Sequence, residues 1–371
     1  MCWLATCLRR LPLVLGAWLG ATAPLPAAEP RLRVELTPPG DLYPALDLSQ
    51  AVRGDAPHGG GTGLLRIHVE NPGAARTVRL RVQTPGLRAP AVLETGLAAG
   101  QSLEWWPRLA WDAAAVQALA APRRQVLAVR LESAGAAAAE EVDVRLHGLD
   151  EALYYVSSDG QAVDLAGIFA AYVDPHSPAV DAILGRAGLL AEAAQAVPGT
   201  RGRSRRLALA EAVWTELVRR GLRYSAEVLA IEAGPHLYSQ RVQLPGQTWQ
   251  RGSAHCLDAS VLIASVLERL GIPTFLVLVP GHAFVGFYVD PERRQAEFVE
   301  TTLLAAGGTS AASFAAARAA GRTRYRDALP HLTAGARPGY VLIDTTAARA
   351  YGIMPLAVGA GSGEGRVPSR E

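Results

Sequence analysis

Apolar and polar positions follow two regimes along this chain. Between residues 31 and 148 they alternate in short runs. Residues 64–71 and 77–84 have the period of half-buried strands, and Pro72-Gly73 with Ala74-Ala75 between them predict a hairpin turn. Residues 125–133 and 141–147 form a second alternating pair around an Ala/Gly/Glu loop. Beyond residue 148 the runs lengthen. Residues 154–156 are strand-like, 168–173 are apolar, and 179–197 are Ala-rich with helical character. Ser204 suits the N-cap of a helix over 205–220, with Leu207, Ala210, Val213, Trp214 and Leu217 on one face and Gly221 closing it. Residues 257–270 form a strongly apolar helix, with Gly271 as its left-handed cap and Pro273 as a stop. Two β-branched strands, 274–279 and 282–289, flank the turn Pro280-Gly281, and a third strand covers 296–301. An Ala-rich helix over 313–321, a strand over 340–344 and a helical turn over 345–351 complete the pattern.

These elements imply an all-β module over 29–150, a connector with a helix over 151–203 and an α+β domain over 204–358. The tail 359–371 is Gly/Ser-rich and charged, and is expected to be disordered. A two-sheet sandwich of immunoglobulin-like type is expected for the first module. Trp105, Trp106 and Trp111 suit core or interdomain packing better than a carbohydrate or peptide platform. The run Gly59–Gly63 lacks the lysine and strand–helix context of a phosphate loop and reads as a plain loop.

Residues 1–28 resemble a secretory signal: Arg9 and Arg10 precede an apolar core over 11–20, too short to span a bilayer, and small residues follow. Periplasmic or secreted localisation is expected, with cleavage near Ala27 or Ala28. An uncleaved anchor is the alternative. No later segment is long and apolar enough to be a transmembrane helix. Cleavage removes Cys2 and Cys7, which leaves Cys256 without an intrachain disulfide partner. An unpaired thiol in an oxidising compartment favours a chemical role.

Composition narrows the partners. The net charge is +2, and no basic patch is interleaved with aromatics, so no nucleic acid is expected. The chain has no lysine, so it offers no acyl acceptor of its own. Oligomeric state is left open.

The chemistry concentrates between residues 251 and 300. A helix start lowers a thiol's pKa, an imidazole takes its proton, and a carboxylate orients that ring. Cys256, His282 and Glu300 occur in that order on a helix start, a strand start and a strand end. His255, Cys256, Asp258 and His282 lack metal-ligand spacing, so no metal and no cofactor is expected, and Asp258 suits a capping role.

Cys256-Leu257-Asp258, with its helix ending in Leu270-Gly271-Ile272-Pro273, resembles the nucleophile helix of the transglutaminase-like superfamily of papain-type cysteine enzymes. Gly281-His282-Ala283-Phe284-Val285 resembles its histidine strand. Phe298-Val299-Glu300-Thr301-Thr302 stands where that family usually has Asp-Pro-Thr. Ala254, where a Gly is common, and His255 depart from the pattern. The resemblance implies a papain/transglutaminase-like domain of α+β class. It also implies acyl transfer from a peptide, protein or cell-wall amide to Cys256, ending in hydrolysis (protease or amidase) or in transglutamination. A catalytically silent scaffold binding peptide or envelope polymer is the alternative. Asp344, in Asp344-Thr345-Thr346, is the rival acid. Gln250, six residues before Cys256, has the spacing of a papain-type oxyanion glutamine. Gln240, Gln243, Tyr238 and Trp249 are further groove candidates.

Overall fold

The computed structural model describes residues 28–50, 64–158, 161–195, 202–225, 230–234, 237–304, 313–333 and 339–356. The expected leader except Ala28, the Gly59–Gly63 loop and the tail 359–371 lie outside these residues. The chain is mixed α and β, with helix and strand in near-equal shares and several sheets.

The first half contains β1 (Arg31–Leu36), β2 (Asp41–Leu42), α1 (Pro44–Leu48), β3 (Leu65–Glu70), β4 (Arg76–Gln83), β5 (Ala91–Leu97), β6 (Ser102–Trp105), α2 (Ala113–Gln117), β7 (Arg123–Ser133) and β8 (Ala136–Leu146). They form two sheets, ordered β1-β3-β6 and β2-β8-β7-β4-β5. Alternation sets their faces: Val78, Leu80 and Val82 on β4 are buried, while Arg79 and Arg81 face solvent. The buried faces of both sheets contribute to a common hydrophobic core. The expected hairpin between residues 64–71 and 77–84 does not form. β3 pairs with β1 and β6, whereas β4 pairs with β5 and β7, so Pro72-Gly73 carries the chain from one sheet to the other. The second expected pair does form a hairpin, but with a two-residue Ala134-Gly135 turn instead of a loop. Gly135 takes a positive φ of 77°, and Ser133 faces Ala136. Trp105 and Trp111 are buried, and Trp111 Nε1 donates to Asp47 Oδ2 at 2.8 Å.

The second half begins with β9 (Glu151–Ser158) and β10 (Gln161–Asp164), then a 3-10 helix (Ala166–Tyr172), α3 (Pro178–Arg186), α4 (Leu190–Ala194) and α5 (Arg203–Arg220). The expected connector is therefore no linker: Leu153, Phe169, Tyr172, Ile183 and Leu184 are all in the core. The single helix expected over 179–197 is broken at Gly188, whose φ is +71°. Gly202, not Ser204, occupies the N-cap of α5. There follow β11 (Arg223–Tyr224), β12 (Ala230–Gly234), β13 (Leu237–Arg241), α6 (Pro245–Arg251), β14 (Ser253–Ala254) and α7 (Cys256–Arg269). The chain ends with β15 (Thr274–Val279), β16 (His282–Tyr288), β17 (Ala296–Val299), α8 (Phe314–Thr333), β18 (Val341–Asp344) and α9 (Thr345–Ala350).

An antiparallel sheet, β17-β16-β15-β18, covers one side of α7, and α3, α5 and α6 cover others. α7 is consequently buried nearly all round, and its polar residues are satisfied internally. Ser260 Oγ donates to the Cys256 carbonyl, and Ser265 Oγ donates to that of Val261. A second sheet, β10-β9-β13-β12, joins β9, the strand entering this half, to β13. α8 does not stop at Gly321 as expected but continues to Thr333.

Candidate active site

Three element boundaries bring the site together. Cys256 is the first residue of α7, and His255 is its N-cap. His255 Nδ1 accepts the Leu257 and Asp258 amides at 3.2 and 3.4 Å, while its Nε2 donates to the Arg241 carbonyl at 3.0 Å. Asp258 completes a capping box by accepting the His255 amide at 3.2 Å. The Ala259 amide bonds to the His255 carbonyl. The Leu257, Asp258 and Ala259 amides of the first turn are thus engaged within the helix start, and the remaining one is that of Cys256.

His282 opens β16 directly after the Pro280-Gly281 turn. Gly281 sits at φ +71°, as the second corner of such a turn requires, and Val279 pairs with His282. Glu300 follows the last residue of β17, and its amide is fixed to the Ala317 carbonyl of α8 at 3.0 Å.

These three residues adjoin one another. Glu300 Oε2 accepts from His282 Nε2 at 3.0 Å, and the other side of the ring lines the same cavity as Cys256. Glu300 Oε1 accepts the Thr302 amide at 3.1 Å and its hydroxyl at 2.8 Å, and Arg324 pairs with Oε2. Thr301 donates its hydroxyl to the Cys256 carbonyl at 3.1 Å, tying the acid's strand to the start of α7.

Burial by itself would raise the thiol pKa. The neighbouring His255 and His282 side chains, the His282 charge and the Ala283 amide bring it down to about 6. Proton acceptance belongs to His282, because His255 Nδ1 must keep its lone pair for two amides. Burial depresses His282, but the neighbouring Cys256 and Glu300 side chains and their charges lift it to about 9. Glu300, also raised by burial, is held at about 2 by the bond and charge of His282 and by Thr302. Between about pH 6 and 9 the arrangement favours a thiolate–imidazolium pair.

The other expected residues divide. Gln240 lines the cavity that holds Cys256 and His282, as do Tyr154, Phe169 and Tyr224. Gln240 Nε2 also donates to the Arg241 carbonyl at 3.0 Å. Gln243 lies elsewhere: its amide and its side chain both bond to buried Asp258, at 2.7 and 2.9 Å. Trp249 and Gln250 line a different cavity, beside α3, and Arg220 stacks over the Trp249 ring. The six-residue spacing misplaces Gln250 because it lies near the end of α6, and the turn at Gly252 and β14 separate it from the cysteine. Asp344 is engaged away from His282, accepting from the Tyr288 hydroxyl at 3.0 Å and capping α9 through the Ala347 amide. Among the described residues, no cluster of His, Cys, Asp and Glu has the grouping to hold a metal ion.

Sequence reasoning did not single out Arg324, Thr302, Tyr154 or the N-cap role of His255. Only the last carried a local signal, its place directly before a helix with Asp258 three residues on. No protein-family model matches this chain, and no curated protein matches its sequence.

Proposed function

We propose that this protein is a cysteine-dependent acyl-transfer enzyme acting on amide or peptide bonds, with hydrolysis as its outcome. The observation that carries the reading is a buried carboxylate bonded to an imidazole that shares one cavity with a thiol at a helix start. On this reading the second half is a papain/transglutaminase-like domain. The first half is an immunoglobulin-like sandwich, and the leader delivers the chain to the periplasm or the cell exterior.

The Cys256 thiolate attacks the substrate carbonyl, and the negative charge moves onto the carbonyl oxygen. The Cys256 amide donates to that oxygen, and Gln240 is the side-chain amide placed to assist. His282 gives its proton to the departing amine, leaving a thioester. It then takes a proton from water as water attacks the thioester, and the acid product leaves with the thiol restored. Glu300 keeps the ring oriented and its charge balanced through both steps.

Iodoacetamide labelling followed by intact mass tests this reading. The labelling rate should rise with an inflection near pH 6 in the wild type. In His282→Ala it should move toward the ordinary thiol value of about 8.5. Cys256→Ala should keep the fold and lose turnover of peptide and cell-wall amides. An ordinary thiol profile in the wild type would sink the nucleophile and favour a binding scaffold.

A further inference from the structure

Two cavities adjoin beside the candidate site. The cavity holding Cys256 and His282 shares Tyr154, Leu278 and Gly339 as walls with a neighbour of about 320 Å3. Tyr155, Tyr238, Val341 and Asp164 also line that neighbour.

Its tyrosines are presented by a local irregularity of the sheet. Along β13, Tyr238 pairs with Tyr155, but the next residue, Ser239, pairs with Leu153. Tyr154 is thus a surplus residue, a β-bulge in β9. In a regular strand, consecutive side chains point to opposite faces. A bulge re-aims one of them, and here Tyr154 and Tyr155 line the same cavity. Tyr238 stands against both, 5.7 Å from Tyr155 at an interplanar angle of 65° and 6.5 Å from Tyr154 at 50°. No pair among the three is stacked face to face, so ring faces and edges are left for another apolar group. Tyr238 is 40% exposed, although it is a large ring on a short strand.

The lining also selects the occupant. Leu278 and Val341 supply aliphatic wall, and among the described residues Asp164 is the one charged member of the lining, with its Oδ1 already accepting the Ala166 amide at 2.8 Å. An anion would need basic groups, and none is among the described lining residues; the side-chain polar atoms there are the tyrosine hydroxyls and the Asp164 carboxylate, and the rest of the wall is apolar. A benzyl or branched aliphatic side chain needs only the surface that is present.

We infer that this tyrosine trough is a specificity subsite for an aromatic or large branched apolar side chain of the peptide whose carbonyl is presented to Cys256. The inference rests on the nucleophilic reading of Cys256, and its test separates the two. Acylated dipeptidyl chloromethyl ketones alkylate a thiolate: the C–S bond forms at the methylene, the C–Cl bond breaks and chloride leaves. Probes carrying Phe or Leu at the first or second position are compared with a Gly-Gly probe, with iodoacetamide alongside. The best Phe or Leu probe should label Cys256 about tenfold faster than Gly-Gly or better. Tyr238→Ala and Tyr155→Ala should bring that ratio toward one. The readout is a ratio within each protein, so a misfolded variant, which changes both probes together, is distinguished from a lost trough. Brisk iodoacetamide labelling with equal ketone rates, or with none, overturns the trough and leaves the nucleophile standing. Iodoacetamide labelling with an ordinary thiol profile overturns the nucleophile and the inference that rests on it.

Discussion

A carboxylate that is almost wholly buried stays ionised only when several donors converge on it. Glu300 has His282, Arg324 and both donors of Thr302, so its two oxygens are fully engaged. Its charge therefore orients His282 and stabilises the imidazolium, and it is not a proton carrier. Replacing it by Gln keeps the shape and removes the charge. For Glu300→Gln we expect kcat/KM to fall roughly 10^3- to 10^4-fold. The alkaline limb of the pH–rate profile should also move down from about 9 toward about 6.5, since His282 loses the anion that raises it. A stopped-flow pH profile of the variant checks both. An unmoved alkaline limb would show that Glu300 is not the anion that raises His282.

At the scale of elements, the acid is positioned by a close approach of helix to strand. A Cβ at Gly321 would lie 2.6 Å from the Phe298 carbonyl carbon and oxygen, so α8 can rest on β17 only with glycine there. One turn further on, Arg324 reaches Glu300, while Arg318 and Arg322 reach buried Glu297. Gly321→Ala must lift the helix. It should cost about 1–3 kcal/mol in urea unfolding and lower the rate of the proposed amide hydrolysis by loosening Arg324 from Glu300. Arg324→Gln, on a half-exposed side chain, should leave stability nearly unchanged yet lower the same rate. The same glycine explains a misreading: in an Ala-rich run it looks like a helix stop, and its real partner lies on a strand more than twenty residues earlier. Cys256, His282 and Glu300 were legible because each sits at a boundary with local signals: a helix start, a Pro-Gly turn and a strand end. The strands at 64–71 and 77–84 were legible for the same reason, from alternation. Their partners were not, because backbone donors and acceptors are alike on every strand and the topology decides which ones meet. Gln240, rather than Gln250, reaches the cavity because β13 pairs with β9, a contact that linear spacing does not encode.

At the scale of the molecule, the two halves are joined by buried charge. His147 lies between Asp41, 2.7 Å from Nε2, and Glu151, 2.9 Å from Nδ1, with Tyr43 stacked on its ring at 3.9 Å. Ser239 of β13 donates to Glu151 at 2.7 Å, so the cluster reaches the strand that carries Gln240. Burial pushes the imidazole down, but the two carboxylates prevail and hold it above its ordinary value. The same burial would raise both carboxyls, but His147 holds them below theirs. A folded-state pKa raised in this way stabilises fully below about pH 6.5, and the contribution is lost as pH rises through the raised value. The depressed carboxyls contribute fully above about pH 4.5, and their share is lost as pH falls through their lowered values. Stability should therefore peak between these limits. His147→Gln should lower that maximum by about 3–5 kcal/mol and make the alkaline decline shallower, leaving the share that His282 contributes, as read by urea unfolding from pH 4 to 10. An unchanged decline in the variant would assign it to other groups. The chain also returns on itself: Gln50 bridges Ile353, the Met354 amide bonds to the Ser49 carbonyl, and Leu356 bonds to Ala171. The halves are accordingly expected to unfold in one step.

The bulge in β9 has a consequence for how such a protein can change. Elsewhere in a strand, losing one residue turns every later side chain to the wrong face. At Tyr154 the loss would delete only the surplus. Leu153 would still meet Ser239, and Tyr155 would still meet Tyr238. The β10 pairings, which begin at Tyr155, would keep their register. A single codon gained or lost at this position could therefore open or close the trough beside the thiol while the sheet stays in step. Substrate preference could then shift by insertion and deletion, at a site where the fold would register no error.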